Sequence, residues 1–245
     1  MRVLLLPVIY TVFFMVPVLT VSSHTLYAAE SSANNVEVPG TYGDAMRWYE
    51  RSAKAGNARA QFYLGMLYEQ GLRGKPDAKS AISWFTKAAE QGHRQAQLKL
   101  GLLYYKGTLV EKNFEQAAHW FEKAAAQSSS QANYNLALML VRGLGVTKDA
   151  KRAAAMFEKV VDRGINEAAL HLAVLYGVED KKPGNKSEKK SDNLKQDKLR
   201  ALMWLEWAKG KGLAPDPAFF EKLTESMTES EIKKARALAL KRLKK

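Results

Sequence analysis

Four histidines, His24, His93, His119 and His171, are the side chains best suited to metal or proton chemistry, and their scatter suits neither. No H-E-x-x-H turn is present, and the chain has no cysteine to complete a thiolate site. The lack of cysteine also removes disulfides and a thiol nucleophile. There is no G-x-S-x-G elbow, no G-x-x-x-x-G-K-[ST] phosphate loop and no dinucleotide G-x-G-x-x-G behind a strand. Glu50, Glu90, Glu122 and Glu158 recur on the outer face of helical segments, where solvated pairing one turn away is the ordinary role. No spacing sets two acids across a cleft, as glycoside chemistry requires. Neither an enzyme nor a cofactor or metal is expected, and an envelope-metabolism enzyme ranks last among the functions considered.

The elements that carry these residues repeat. A shift of 36 positions aligns Ala60, Ala96, Ala132 and Ala168, then Leu64, Leu100, Leu136 and Leu172. Gly65, Gly101, Ala137 and Ala173 follow, with Tyr68, Tyr104, Leu140 and Tyr176 behind them. After a short loop come Ala45, Ala81, Ala117 and Ala153, then Trp48, Trp84, Trp120 and Met156, closed by Gly56, Gly92, Ser128 and Gly164. A further copy, Ala201, Trp204, Ala208 and Gly212, lies 48 residues on, so its loop is 12 residues longer. Spacings of three and four place each set on one helical face. Small residues let two antiparallel helices approach, with Tyr and Trp filling the layers between. Gly71, Gly107 and Gly143 stand where a positive φ ends a helix, and Asp77, Asn113, Asp149 and Asp197 where a short polar side chain starts one.

The stretches Ala60-Gln-Phe-Tyr-Leu-Gly-Met-Leu-Tyr-Glu-Gln-Gly71 and Asp77-Ala-Lys-Ser-Ala-Ile-Ser-Trp-Phe-Thr-Lys-Ala-Ala-Glu-Gln-Gly92 resemble the Sel-one-like repeat (SLR) family, a branch of the tetratricopeptide-like superfamily. The resemblance covers residues 41–212: a partial unit at 41–56, repeats at 57–92, 93–128 and 129–164, and a fourth at 165–212 with an expanded loop. It implies an all-α, right-handed superhelical α/α solenoid of antiparallel helix pairs. It further implies a non-catalytic adaptor that binds protein partners, often in bacterial envelopes. Departures gather late, where Ser128 replaces a glycine and Met156 a tryptophan.

If Ala60, Leu64 and Tyr68 face the paired helix, the opposite face carries the variable residues. Solenoids bind extended ligands on such a face. The candidate partner-binding residues are therefore Arg59, Glu69, Tyr105, Lys106, Tyr134 and Arg142. The apolar members Phe62, Met66, Leu98, Leu102 and Leu138 are expected to pack on the adjacent repeat.

The ends differ from the middle. Met1-Arg2, an apolar run from Val3 to Val21 and a small, polar stretch to Ala29 have the layout of a cleaved export signal, followed by a flexible linker at 30–40. A periplasmic or secreted protein is expected; retention of the segment as an inner-membrane anchor is the alternative. The insertion at 179–196 lacks aromatic and β-branched residues and is expected to be disordered. Its Asn185-Lys186-Ser187 sequon is of a kind that arises readily by chance. Residues 213–245 form a basic C-terminal capping segment, and a capping helix is expected to open on the box Thr228-Glu-Ser-Glu231. Much of the formal charge of +13 sits there: Lys233, Lys234, Arg236, Lys241, Arg242, Lys244 and Lys245 are candidate contacts to an anionic membrane or envelope polymer. Nucleic acid is not an expected partner despite the pI of about 9.7, because export and the lack of a DNA- or RNA-binding signature oppose it.

Overall fold

The computed structural model describes residues 42–71, 75–177 and 197–244. The export segment, the linker at 30–40, the insertion at 179–196 and Lys245 lie outside the described residues. Contacts divide the chain between Trp48 and Tyr49. Of the first unit, residues 42–48 are described, as the opening of helix α1 (Tyr42–Lys54).

The second unit is an α/α solenoid. Its helices are α2 (Ala58–Gln70), α3 (Ala78–Glu90), α4 (Arg94–Lys106), α5 (Phe114–Ala126), α6 (Ser130–Arg142), α7 (Ala150–Val161), α8 (Ala168–Gly177), α9 (Lys198–Gly210), α10 (Pro217–Glu225) and α11 (Glu229–Leu243). From α2 to α9 each helix packs on the next, and α11 then packs on α9. No strand occurs among the described residues.

Boundaries follow from short polar caps and left-handed glycines. Asp77, Asn113, Asp149 and Asp197 accept the backbone N–H groups of Ser80, Gln116, Arg152 and Arg200 at 2.7–3.0 Å. Gly71, Gly107 and Gly143 end the first helices at φ 68°, 71° and 70°. One capping column was not among the expected ones. Asn57, His93 and Ser129 start α2, α4 and α6 by accepting the N–H groups of Ala60, Ala96 and Ala132. The fourth repeat has Ile165 there, which has no acceptor, and α8 is shorter, at 10 residues.

Packing centres on phenylalanine rather than on the tryptophan column. Phe85, Phe121 and Phe157, each one residue after the Trp or Met position, are fully buried. A Cβ added to Gly65 would lie 2.7 Å from the Phe85 ring, and one added to Gly101 would lie 2.5 Å from the Phe121 ring. Trp84 and Trp120 sit further out, with Lys87 Nζ 4.2 Å from the Trp84 centroid and Lys123 Nζ 4.8 Å from that of Trp120, whereas Trp204 in the same column is fully buried.

Buried amides stitch the layers together. Gln61 Nε2 donates to the Ala53 carbonyl at 3.1 Å and Gln97 Nε2 to that of Ala89 at 3.0 Å. Asn133, in the same column, donates to the Ala125 and Ser129 carbonyls. From the next turn, Gln91 and Gln127 donate to the side-chain oxygens of Gln61 and Gln97 at 2.6 and 2.8 Å. These bonds satisfy groups that would otherwise be buried unpaired.

The C-terminal segment holds two helices instead of one. Asp216 caps α10 and Pro217 occupies its first turn. The expected box opens α11, with Thr228 Oγ1 accepting the Glu231 N–H and Glu231 accepting the Thr228 N–H.

Two expectations follow. Ser128 has φ 65° in a column whose glycines Gly56, Gly92 and Gly164 have nothing near a built Cβ, so the column demands backbone freedom and not space. Ser128→Gly should stabilise the protein by about 0.5–1 kcal/mol in urea unfolding. His93 must be unprotonated at Nδ1 to cap α4, and burial, then Arg59 and Arg94, hold its pKa below the usual value. A depressed native pKa leaves the proton on the unfolded chain, so this contribution is complete above about pH 6.5 and is lost as pH falls through the native value. His93→Asn, the residue at position 57, should keep the cap and flatten that part of the stability–pH curve.

Candidate functional site

The outer faces of α2, α4, α6 and α8 form the first candidate surface. Phe62, Leu98, Tyr134 and Leu170 make one half-buried stripe across successive repeats, and Met66, Leu102 and Leu138 a second. Val174 continues the second stripe at 47% exposure. The Phe62 ring lies 5.8 Å from that of Phe85 and stacks on His93 at 5.0 Å, so these side chains seal neighbouring layers while keeping part of their surface open.

The six proposed contact residues have different surroundings. Arg59 is exposed, its guanidinium 5.8 Å from the Tyr63 ring. Glu69 is bound to Lys99 at 2.7 Å, which ties α2 to α4. Tyr105 is half-buried with its ring 5.6 Å from Phe114. Tyr134 shares a hydrogen bond of 3.0 Å with His171 Nε2 and lies edge-on to Phe157. Burial and Glu167 raise the Tyr134 pKa, while burial and Arg142 lower that of His171, so both rings are uncharged near neutral pH. Lys106 and Arg142 are exposed in the last turns of α4 and α6, which touch directly, and neither forms an ion pair among the described residues. The structure thus brings two free cations, one repeat apart, to the rim of the apolar stripes. Glu69 and Tyr134 are engaged in holding repeats together.

The other candidate surface is α11, whose basic residues divide by type. Arg236 Nε donates to Glu206 on α9 at 2.8 Å. Arg242 binds Asp162, next to α7, and its guanidinium lies 4.5 Å above the Trp204 ring. Ala235 and Ala239 are buried between them. The lysines face outward: Lys233 pairs with Glu229 one turn back at 2.9 Å, both well exposed, while Lys234, Lys241 and Lys244 are exposed without an ion pair among the described residues. A cavity of about 160 Å³ lies beside the Arg236–Glu206 pair, bounded also by Ala239, Leu240 and Leu243.

Among the described residues no three His, Asp or Glu side chains gather as a metal site would need. His93 serves as a helix cap, His171 bonds to Tyr134, and the exposed His119 ring lies 5.0 Å from its neighbour Trp120.

A family model described as the Sel1 repeat matches residues 42–57, 58–93, 94–129, 130–164 and 189–216, more than half of the chain. Among solved structures, a Sel1 repeat protein from Oxalobacter formigenes is 25% identical over 85% of this chain and 87% of its own, with a TM-score of 0.58. The protective antigen c5321 of uropathogenic Escherichia coli, which displays an SLR fold, is 25% identical over 90% of this chain, with a TM-score of 0.46. This chain spans 52% of that antigen's length. Cysteine rich protein B of Helicobacter pylori is 21% identical over 54% of this chain and 97% of its own, with a TM-score of 0.39. No curated protein matches the sequence.

Proposed function

This chain belongs to the Sel1 repeat family, and from that premise we propose that it is an exported scaffold of the bacterial cell envelope that binds another protein along the open faces of α2, α4, α6 and α8. Members of the family are generally non-catalytic interaction scaffolds. One observation carries the reading for this chain. The Ala60, Leu64, Gly65 and Phe85 columns are buried in every repeat, whereas the half-open positions change chemistry from one repeat to the next: Phe62, Leu98, Tyr134 and Leu170 in one column, Glu69, Tyr105 and Val141 in another. A regular frame with irregular contact chemistry suits recognition of one extended partner. Aromatic anchors beside Lys106 and Arg142 favour a partner with apolar side chains flanked by acidic ones.

Envelope residence is supported by the layout of the first 29 residues. No helix among the described residues is long and apolar enough to cross a membrane.

Replacing Tyr105 with Ala and Arg142 with Glu together should lower recovery of a crosslinked protein partner by about tenfold or more, a loss of roughly 1.4 kcal/mol, with far-ultraviolet circular dichroism unchanged. Full retention of the partner by this folded variant would rule out the proposed face. N-terminal sequencing of protein from intact cells should begin near Ala29 or Glu30. Recovery of Met1 in the membrane fraction would replace the exported form with an anchored one.

A further inference from the structure

We propose that the outward face of α11 docks on an anionic phospholipid bilayer, independently of the protein-binding face. The first support is the division between arginine and lysine. Arg236 and Arg242 are spent on Glu206 and Asp162, so they neutralise the acids beside the helix and hold it against α9 and α7. The lysines are left pointing out. No acidic residue occurs between Ile232 and Leu243, since Glu229 and Glu231 lie in the first turn. Steps of about 100° per residue place Lys233, Lys234, Ala237, Lys241 and Lys244 opposite the buried Ala235 and Ala239.

The end of α9 adds to the same region. Leu243 packs against Gly210, where an added Cβ would meet Leu243 Cδ1. The C-terminal ends of the two helices therefore meet, and Lys209 and Lys211 at the end of α9 are exposed, their amines 5.7 Å from the Phe220 centroid and 5.4 Å from that of Trp207.

The second support distinguishes a bilayer from a soluble polyanion. Among the described residues the exposed large hydrophobics are Val174, Leu238 at 40% and Leu240 at 59%. Two of these three lie on α11, on the flanks of the lysine face. A dissolved polymer offers nothing to an exposed leucine. A lipid interface offers acyl chains to leucine and phosphate oxygens to lysine, with long lysine stems reaching the headgroups.

Sedimentation of the full chain with vesicles tests this. Vesicles of equal phosphatidylglycerol and phosphatidylcholine should bind it at 50 mM salt, pure phosphatidylcholine vesicles should not, and binding should weaken several-fold at 200 mM salt. Lys234→Gln, Lys241→Gln and Lys244→Gln together should reduce binding about tenfold. Leu238→Ser with Leu240→Ser should also weaken vesicle binding while leaving retention on heparin, a soluble polyanion, unchanged. All of these variants keep Arg236 and Arg242, and unchanged thermal unfolding confirms that α11 stays docked. Failure of the wild-type chain to bind phosphatidylglycerol vesicles would overturn the proposal. So would a serine variant that binds vesicles as the wild type does, because that result marks a polyanion surface without lipid contact.

Discussion

The first two helix pairs close on a phenylalanine ring set where a methyl group is missing. The aromatic edges of Phe85 and Phe121 occupy the space that a Cβ on Gly65 or Gly101 would need. A glycine costs helix stability, about 1 kcal/mol against alanine, and the close packing it permits here offsets that cost. The third pair holds Ala137 and Phe157 at the same positions and the fourth Ala173 and Leu205, all buried. How near the two helices approach decides where each helix faces. The stripe from Phe62 to Leu170 is therefore a consequence of this contact as much as of its own residues.

Neighbouring pairs are held in register by polar groups. The Gln61 and Gln97 amides bond to the carbonyls of the preceding helix, and Gln91 and Gln127 bond back to them. Gln127 Nε2 also lies 2.9 Å from the Gly92 carbonyl, and Arg163 in its column donates to the Ser128 carbonyl at 2.8 Å, so this second link survives where the glutamine changes to arginine. Such contacts join nearest neighbours only, which is the condition for a solenoid whose stability is a sum over repeats and interfaces. At the C-terminal end Trp204 and Trp207, 2% and 4% exposed, lie in the core to which α11 contributes Ala235 and Ala239. The terminal helix packs on the stack through Ala235 and Ala239, flanked by Ile232 and Leu243, with Arg236 and Arg242 paired to acids of the stack and the lysines outside this contact.

Much of this was legible in the residues. Positive-φ glycines, aspartate caps and the Thr228 box depend on side chains within three positions, so a local pattern identifies them. The glutamine ladder was missed because a polar column reads as surface until its carbonyl partners, eight residues earlier, are seen to be buried with it. His93 is hard to read as a cap because histidine seldom caps a helix, although Asn57 and Ser129 in its column signal the role. Asp216-Pro217 was a readable start for α10. The division of α11 into inward arginines and outward lysines was not readable. It depends on Glu206 and Asp162, which lie 30 and 80 residues from their partners.

The central claim is that the frame repeats and that recognition lies in the half-open positions of α2, α4, α6 and α8. Photo-crosslinking residues placed one at a time at Leu102, Leu138 and Val174, and as controls at the exposed His119 and Ala155 on α5 and α7, test it most directly. The account predicts adducts with one and the same partner from the first three positions and none from the two controls. Adducts confined to positions 119 and 155 would contradict it.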